Sequence, residues 1–294
     1  MAIDSNYARF LVSCHQNGVS FRHSITIGRL NYYLGTKETR QLIRWGGLDA
    51  SRCGRLLDYQ SSRYAEALLE ALGAEKVESL DASDFEGATV VHDMNLPVPG
   101  ELKGRFDAVC DAGTIEHVFN FQTAIRNCME MVKVGGHLIL GSPANNSFGH
   151  GFYQFSPELW FRLLSPEQGF EMGRMVALEY RPRARWFEVA DPAVVKDRVA
   201  ITNRYPVLLM VLARKTADVP VLRTFPQQSD YVPRWVGAKV DSASRRSPLE
   251  ARVRRLLLET APGLARFLEN FYVSSWFNKR HSLRNPNFFK RVKR

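Results

Sequence analysis

A chain of 294 residues with 45% hydrophobic and 24% charged side chains has ample apolar material for a large core, which excludes a disordered or fibrous protein. The net charge of +10 is lopsided: residues 217–294 hold sixteen Lys/Arg against six Asp/Glu, while the first 216 residues balance. That C-terminal basicity suits an anionic surface such as lipid headgroups or an acidic glycan, and no nucleic-acid motif accompanies it.

The four cysteines, Cys14, Cys53, Cys110 and Cys128, are scattered without CxxC spacing, which argues against a zinc cluster or a disulfide framework and for reduced thiols in a cytoplasmic protein. The N-terminus lacks the basic and apolar regions of a signal peptide. The longest apolar run, 206–213, is too short to span a bilayer.

In chain order, the first 23 residues read as a short helix and a connector, and SITIG (24–28) as a β-rich run closing on Gly28. A polar, helix-prone stretch follows to about residue 63, and YAEALLEAL (64–72) has apolar residues at helical spacing. Then strands and helices alternate. Residues 76–80 form a strand closing on Asp81, 89–92 one closing on Asp93, and 106–110 one closing on Asp111. A helix over 121–132 is stopped by Gly135 and Gly136, and a strand over 137–140 leads into a loop at 142–151. Residues 172–180 and 205–214 supply two more strands, with a loop or exposed hairpin between them. Short apolar runs alternating with helices predict a doubly wound (Rossmann-like) α/β fold with a mostly parallel, seven-stranded sheet.

Residues 220–247 read as a linker, SPLE (247–250) as a capping box opening a helix to about 259, and 262–276 as a second helix before the basic tail LRNPNFFKRVKR. Leu249, Val253, Leu256 and Leu257 make one apolar stripe; Leu264, Phe267, Leu268 and Phe271 make another. Such stripes pack on the parent domain, on a homodimer mate, or on a membrane surface. The division expected is a catalytic domain over 1–216, with an inserted lid-like segment within 24–63, and a basic linker plus amphipathic helices over 217–294.

In a doubly wound sheet, ligands bind beyond the carboxyl ends of the strands, where the strand order reverses. A carboxylate closing the second strand (Asp81) suits a ribose diol, because it accepts two hydroxyl hydrogen bonds. One closing the third (Asp93) suits an adenine amino group. The small pair Ala112-Gly113 after Asp111 lets backbone approach a ligand closely.

Three segments, FDAVCDAGTIEHVFN, NCMEMVKVGGHLILGSP and NNSFGHGFYQFSPELW, resemble the middle motifs of class I S-adenosylmethionine (SAM)-dependent methyltransferases. The resemblance covers roughly 24–215 and is strongest over 77–170. It is similar in style to methyltransferase-domain proteins of bacterial cell-surface polysaccharide biosynthesis. It implies SAM as cofactor and S-adenosylhomocysteine as product. Asp81 with Ala82 would meet the ribose, Asp93 with Met94 the adenine, and Asp111, Ala112 and Gly113 the methionine portion. The family's glycine-rich loop is reduced to Gly28, and roughly fifty residues separate it from Asp81. Tyr64, at the start of the helix preceding Asp81, would then face the SAM carboxylate.

Methyl transfer to a hydroxyl requires an aligned nucleophile and a base. Glu116, His117 and His150 are the candidates. The E-x-x-E-H pattern linked to a metal in ubiquinone-biosynthesis O-methyltransferases is broken at Gly113, so no metal is expected. The reading is a cytoplasmic O-methyltransferase for a sugar or lipid-linked glycan acceptor, held at the inner face of the membrane by its basic C-terminus. The alternative is a catalytically degenerate scaffold protein of the same fold. A nicotinamide-dependent oxidoreductase is disfavoured because no G-x-G-x-x-G follows the first strand.

Overall fold

The computed structural model describes residues 2–58, 63–181, 184–235, 248–274 and 281–292. Ser62, Ser247 and Trp276, where the sequence places helix boundaries, lie outside them.

The strands are β1 (Ala2–Ile3), β2 (His23–Ile27), β3 (Asn31–Tyr32), β4 (Lys76–Asp81), β5 (Val90–Val91), β6 (Phe106–Ala112), β7 (Val132–Asn145), β8 (Phe170–Glu179), β9 (Trp186–Val189), β10 (Val207–Lys215) and β11 (Phe289–Arg291). Nine form one sheet in the order β11-β9-β8-β10-β7-β6-β2-β4-β5. From β5 to β7 all pairings are parallel. From β7 to β11 all are antiparallel. The chain winds outward from β2 to β5, then crosses to the other side of β2 and winds outward again. This is the doubly wound plan, with its switch point between β2 and β6.

The expected seven-stranded sheet is thus a nine-stranded mixed one. β9 lies in the stretch read as a loop or an exposed hairpin, and it pairs back antiparallel onto β8; WFEV is too short to stand out as a strand among its Arg and Pro neighbours. β11 comes from the segment read only as a basic tail. Phe288 and Phe289 are buried there, Ala190 N–H donates to the Phe288 carbonyl at 2.9 Å, and Val292 N–H donates to that of Trp186 at 2.9 Å. Two aromatic side chains, each worth about 1.5–3 kcal/mol when buried, outweigh the solvation preference of the flanking Lys and Arg. β7 also runs beyond the expected 137–140, because β10 pairs with it from His137 to Asn145.

The helices that frame the site are α1 (Ser5–Gln16), α2 (Thr36–Gly46), α3 (Gly54–Leu57), α4 (Glu66–Ala71), α5 (Phe121–Met131) and α6 (Pro157–Leu163). α1 starts where the Asp4 carboxylate accepts from the N–H groups of Asn6 (3.0 Å) and Tyr7 (2.8 Å). It buries Phe10, Leu11 and Val12 on one face of the sheet. Leu34, Leu42, Leu48 and Leu56, from the stretch between β2 and β4, enter this same core. These leucines dock the stretch expected to form a lid against α1. On the opposite face α5 and α6 pack Met129 and Trp160 against Phe106 and Leu138. The four cysteines are buried free thiols.

The helices Pro248–Thr260 and Pro262–Ser274 follow the expected pattern. Leu249, Val253, Leu256, Leu264, Phe267 and Leu268 are exposed on them. No helix among the described residues is long and apolar enough to cross a membrane.

Candidate active site

Register places a row of residues along the carboxyl edge of the parallel strands. Ile27 of β2 pairs with Leu80 of β4 on one side and with Asp111 of β6 on the other. Gly28, one position on, is therefore flanked by Asp81 and Ala112. The row extends from Asp81 to Val91 of β5 and from Ala112 to Gly141 of β7. Backbone bonds hold it: Gly28 N–H donates to the Leu80 carbonyl at 2.6 Å, and Thr114 Oγ1 donates to that of Ile27 at 2.6 Å.

Asp81 clamps the β2 and β4 ends together. Its Oδ2 accepts from the Arg29 N–H at 3.2 Å and its Oδ1 from the Ala82 N–H at 2.8 Å. The Arg29 guanidinium pairs with Glu66 at 3.0 Å and donates to the carbonyls of Glu86 (2.5 Å) and Gly87 (2.9 Å). It stacks 4.1 Å over the Tyr64 ring. Tyr64 is not helical: it bridges to Asn31, and α4 starts only at Glu66. Tyr64 is thus held in the Arg29 cluster. Asp93 is exposed, and its carboxylate accepts from the N–H (2.9 Å) and side-chain amide (2.8 Å) of Asn95. Those bonds hold its carboxyl below the usual range. The Met94 side chain is buried in the core, beside Asn127.

A cavity of about 540 Å³ opens where the row passes over β6 and β7. Ala112, Gly113, Glu116, His117, Gly141 and His150 line it. Of the expected site residues, Ala112, Gly113, Glu116, His117 and His150 meet in this cavity, whereas Gly28, Tyr64, Asp81 and Ala82 lie around Arg29 and Asp93 and Met94 lie apart. Asp111 is fully buried directly beneath the cavity wall.

Glu116 is the anchor. Its side chain is 1% exposed, and its Oε1 lies 3.3 Å from Nε2 of His150. The His117 and His150 rings are 4.9 Å apart in an edge-on arrangement. The Glu116 carbonyl accepts from the Phe152 N–H at 2.7 Å and the Tyr153 N–H at 3.3 Å, which ties the 150s loop to the β6–α5 connection. Gly151 (φ +69°) and Gly113 (φ +91°) permit this approach: a Cβ on Gly151 would lie 2.8 Å from the Glu116 carbonyl oxygen, and one on Gly113 3.0 Å from Oε1.

Glu116 Oε2, Asp111 Oδ2 and Ser142 Oγ are buried without a hydrogen-bond partner among the described residues. Asp111 Oδ1 accepts from the Thr114 N–H at 2.9 Å. Burial, followed by the neighbouring Glu116 charge, raises the Asp111 carboxyl well above the carboxylate range, and burial raises Glu116. Burial and the adjacent His150 lower His117. The wall can therefore hold or exchange protons near neutral pH, next to exposed imidazoles.

The sequence reading missed the wall supplied by α1 and its surroundings. Tyr7 donates its hydroxyl to the Ile139 carbonyl at 3.1 Å and lines the cavity with Asn6, Tyr33 and Tyr180. The N-cap Asp4 was a visible helix signal. The placement of α1 over β7 is a tertiary contact with no local signature.

No family model matches this chain, and no curated protein sequence matches it. Among solved structures it is similar to the 1,6-didemethyltoxoflavin-N1-methyltransferase of Burkholderia thailandensis with bound 1,6-didemethyltoxoflavin and S-adenosylhomocysteine, at 14% identity over 72% of this chain and 78% of that one, with a TM-score of 0.40. It is also similar to the N-methyltransferase NodS from Bradyrhizobium japonicum WM9 in complex with S-adenosylhomocysteine (13% identity, 72% and 87% covered, TM-score 0.39). A third is an S-adenosylmethionine-dependent methyltransferase from Mesorhizobium loti (14% identity, 72% and 98% covered, TM-score 0.37).

Proposed function

We propose that the protein is a SAM-dependent methyltransferase that methylates a hydroxyl of a sugar or glycan-type acceptor. One observation carries the reading: Asp81, Gly28 and Ala112 stand side by side at the switch point, and the row runs directly into the Glu116–His117–His150 cavity. Asp81 would hold the ribose of SAM and Ala112 and Gly113 its methionine portion, and the bound cofactor would supply an activated methyl group at the cavity. An acceptor in the cavity then meets it in line. With SAM bound, His117 or His150 would take the hydroxyl proton, and the buried Asp111–Glu116 pair would steady the charge that develops. The antiparallel β10 between β7 and β8 separates this sheet from the all-parallel order of dinucleotide-binding folds.

The test is calorimetric titration with SAM and S-adenosylhomocysteine, followed by radiolabelled methyl transfer to hydroxylated acceptors. Absence of binding at millimolar cofactor rejects the enzyme reading. It would favour the alternative, a binding or scaffold protein of this fold, which the Arg29 clasp from β2 across to Glu86 and Gly87 supports. A lipid-linked acceptor fits the exposed apolar stripes and Arg252, Arg255 and Arg266 of the C-terminal helices, which suit an anionic membrane surface. Co-sedimentation with anionic vesicles that persists after excision of residues 248–274 removes that contact.

A further inference from the structure

We propose that Glu116, His117 and His150 form a binding site for one divalent transition-metal ion of the Zn²⁺ or Co²⁺ class. The three residues each present a ligand atom, and these atoms all lie within 4.8 Å of one another. A tetrahedral ion with ligands at about 2.0–2.2 Å spaces its donors about 3.4 Å apart. The Glu116–His150 pair, at 3.3 Å, already has this spacing. His117 and His150 are exposed, so rotation of their side chains closes the remaining distance without moving the backbone.

The electrostatics of the wall call for a cation. Glu116 Oε2 and Asp111 Oδ2 are buried without partners, and no Lys or Arg is among the described residues lining the cavity. A buried carboxylate oxygen without a donor is costly, and a bound cation is one of the few ways to satisfy it. The backbone is also fixed in advance. The bonds from Phe152 and Tyr153 to the Glu116 carbonyl hold the two ligand loops together, and His150 N–H donates to the Ser147 carbonyl at 3.0 Å.

The ligand set determines the class of ion. Gly113, at φ +91° and with Glu116 Oε1 3.0 Å from where its Cβ would sit, leaves no room for a second carboxylate from that position. One carboxylate and two imidazoles suit ions of intermediate softness, whereas Mg²⁺ and Ca²⁺ take sites built from oxygen. Three protein ligands leave a fourth position open toward the cavity, where a hydroxyl oxygen or water fits. An ion there would lower the pKa of that oxygen and so replace the general-base role proposed above for His117 or His150, whose basic nitrogens it would occupy. The broken E-x-x-E-H pattern, which argued against any metal, therefore changes which metal fits.

The experiment uses the full chain, stripped with a chelator and titrated with Co²⁺ while the visible absorption bands of low-symmetry Co²⁺ are recorded. The expected result is one equivalent bound, displaced by Zn²⁺ and indifferent to millimolar Mg²⁺. H150A, on an exposed loop, and H117A should each weaken uptake by on the order of tenfold or more. H15A, on α1 outside the cavity, should leave uptake unchanged, with circular dichroism confirming the fold of each variant. Substoichiometric uptake, uptake that survives in the H117A/H150A double variant, or equally tight Mg²⁺ binding each overturns the proposal. Ion uptake is read without cofactor or acceptor, so a failure of methyl transfer leaves this result unaffected.

Discussion

Replacing Asp81 with alanine tests the cofactor row at its most exposed assumption. Each carboxylate oxygen already accepts one backbone N–H, from Arg29 and Ala82, which leaves one lone pair on each for a ribose hydroxyl. Hydrogen bonds to a charged group contribute about 1.5–3 kcal/mol each. Part of the ribose contribution is recovered by water in the half-buried site. The net expectation for D81A is a loss of about 1.5–3 kcal/mol in cofactor binding, a factor of roughly 10–150. Two N–H groups also lose their acceptor, which should cost a further 1–3 kcal/mol, roughly, in stability. Calorimetric titration with S-adenosylhomocysteine and thermal unfolding of the same preparation separate the two effects. A folded D81A protein that binds the cofactor with unchanged affinity would show that the ribose does not lie at Asp81 and that the row is misread.

Other perturbations address the framework. G151A forces φ +69° on an L-residue and drives its Cβ against the Glu116 carbonyl; the left-handed conformation alone costs about 1–2 kcal/mol. Its melting temperature should fall by several degrees, roughly 2–4 °C per kcal/mol, and an unchanged value would mean the 150s loop is not held against Glu116. F289A should cost about 3–5 kcal/mol in urea denaturation if β11 is integral to the sheet, whereas a loss under about 1 kcal/mol would mean the C-terminal strand is peripheral. Glu78 is buried beside Lys76, His23 and Arg105. Burial alone would raise its carboxyl, but those three partners outweigh it and hold it below the usual value. With the folded pKa depressed, its contribution is complete above the unfolded value of about 4.3 and is lost as pH falls through the folded one. In E78Q the acid limb of melting temperature against pH should flatten, and coincident profiles for the two proteins would refute the assignment.

The parallel half of the sheet was legible because strands buried on both faces announce themselves as apolar runs. FDAVCDA buries six successive residues of β6. The strand-end aspartates, expected in register, are staggered instead: Asp111 is level with Leu80, Asp81 is one step further on beside Ala112, and Asp93 lies two residues past Val91 of β5. The antiparallel edge was not legible. β9 is four residues long, and β11 borrows its burial from two phenylalanines set among asparagine, lysine and arginine. In the candidate site, Glu116 and His117 were singled out because they follow Asp111, where the resemblance places substrate-facing residues, and His150 because an imidazole among loop glycines has few structural duties. Their association depends on the Glu116 carbonyl receiving two N–H groups from thirty-odd residues away, which no local pattern records. Tyr64 was misplaced for the opposite reason. Its helix-forming neighbours suggested a helix start, but pairing with Asn31 and the Arg29 stack fixed it in extended backbone.

Because β11 joins the sheet, the chain is tied to it on both sides of the two C-terminal helices. On the upstream side Gln168 accepts from the Leu222 N–H at 2.6 Å and donates to the Thr224 carbonyl at 3.0 Å; on the downstream side Phe288 and Phe289 enter the core. The helices Pro248–Thr260 and Pro262–Ser274 thus fall in sequence between two segments that are tied to the sheet. The closure entropy of the connection between those segments changes by only about 0.6 kcal/mol for each doubling of its length. Loop-closure entropy therefore sets little constraint on its length, whereas cutting the chain before it also strips β11 from β9. The surface that this protein presents to its surroundings can thus diverge, in evolution or by engineering, without disturbing the strands that build its cavity.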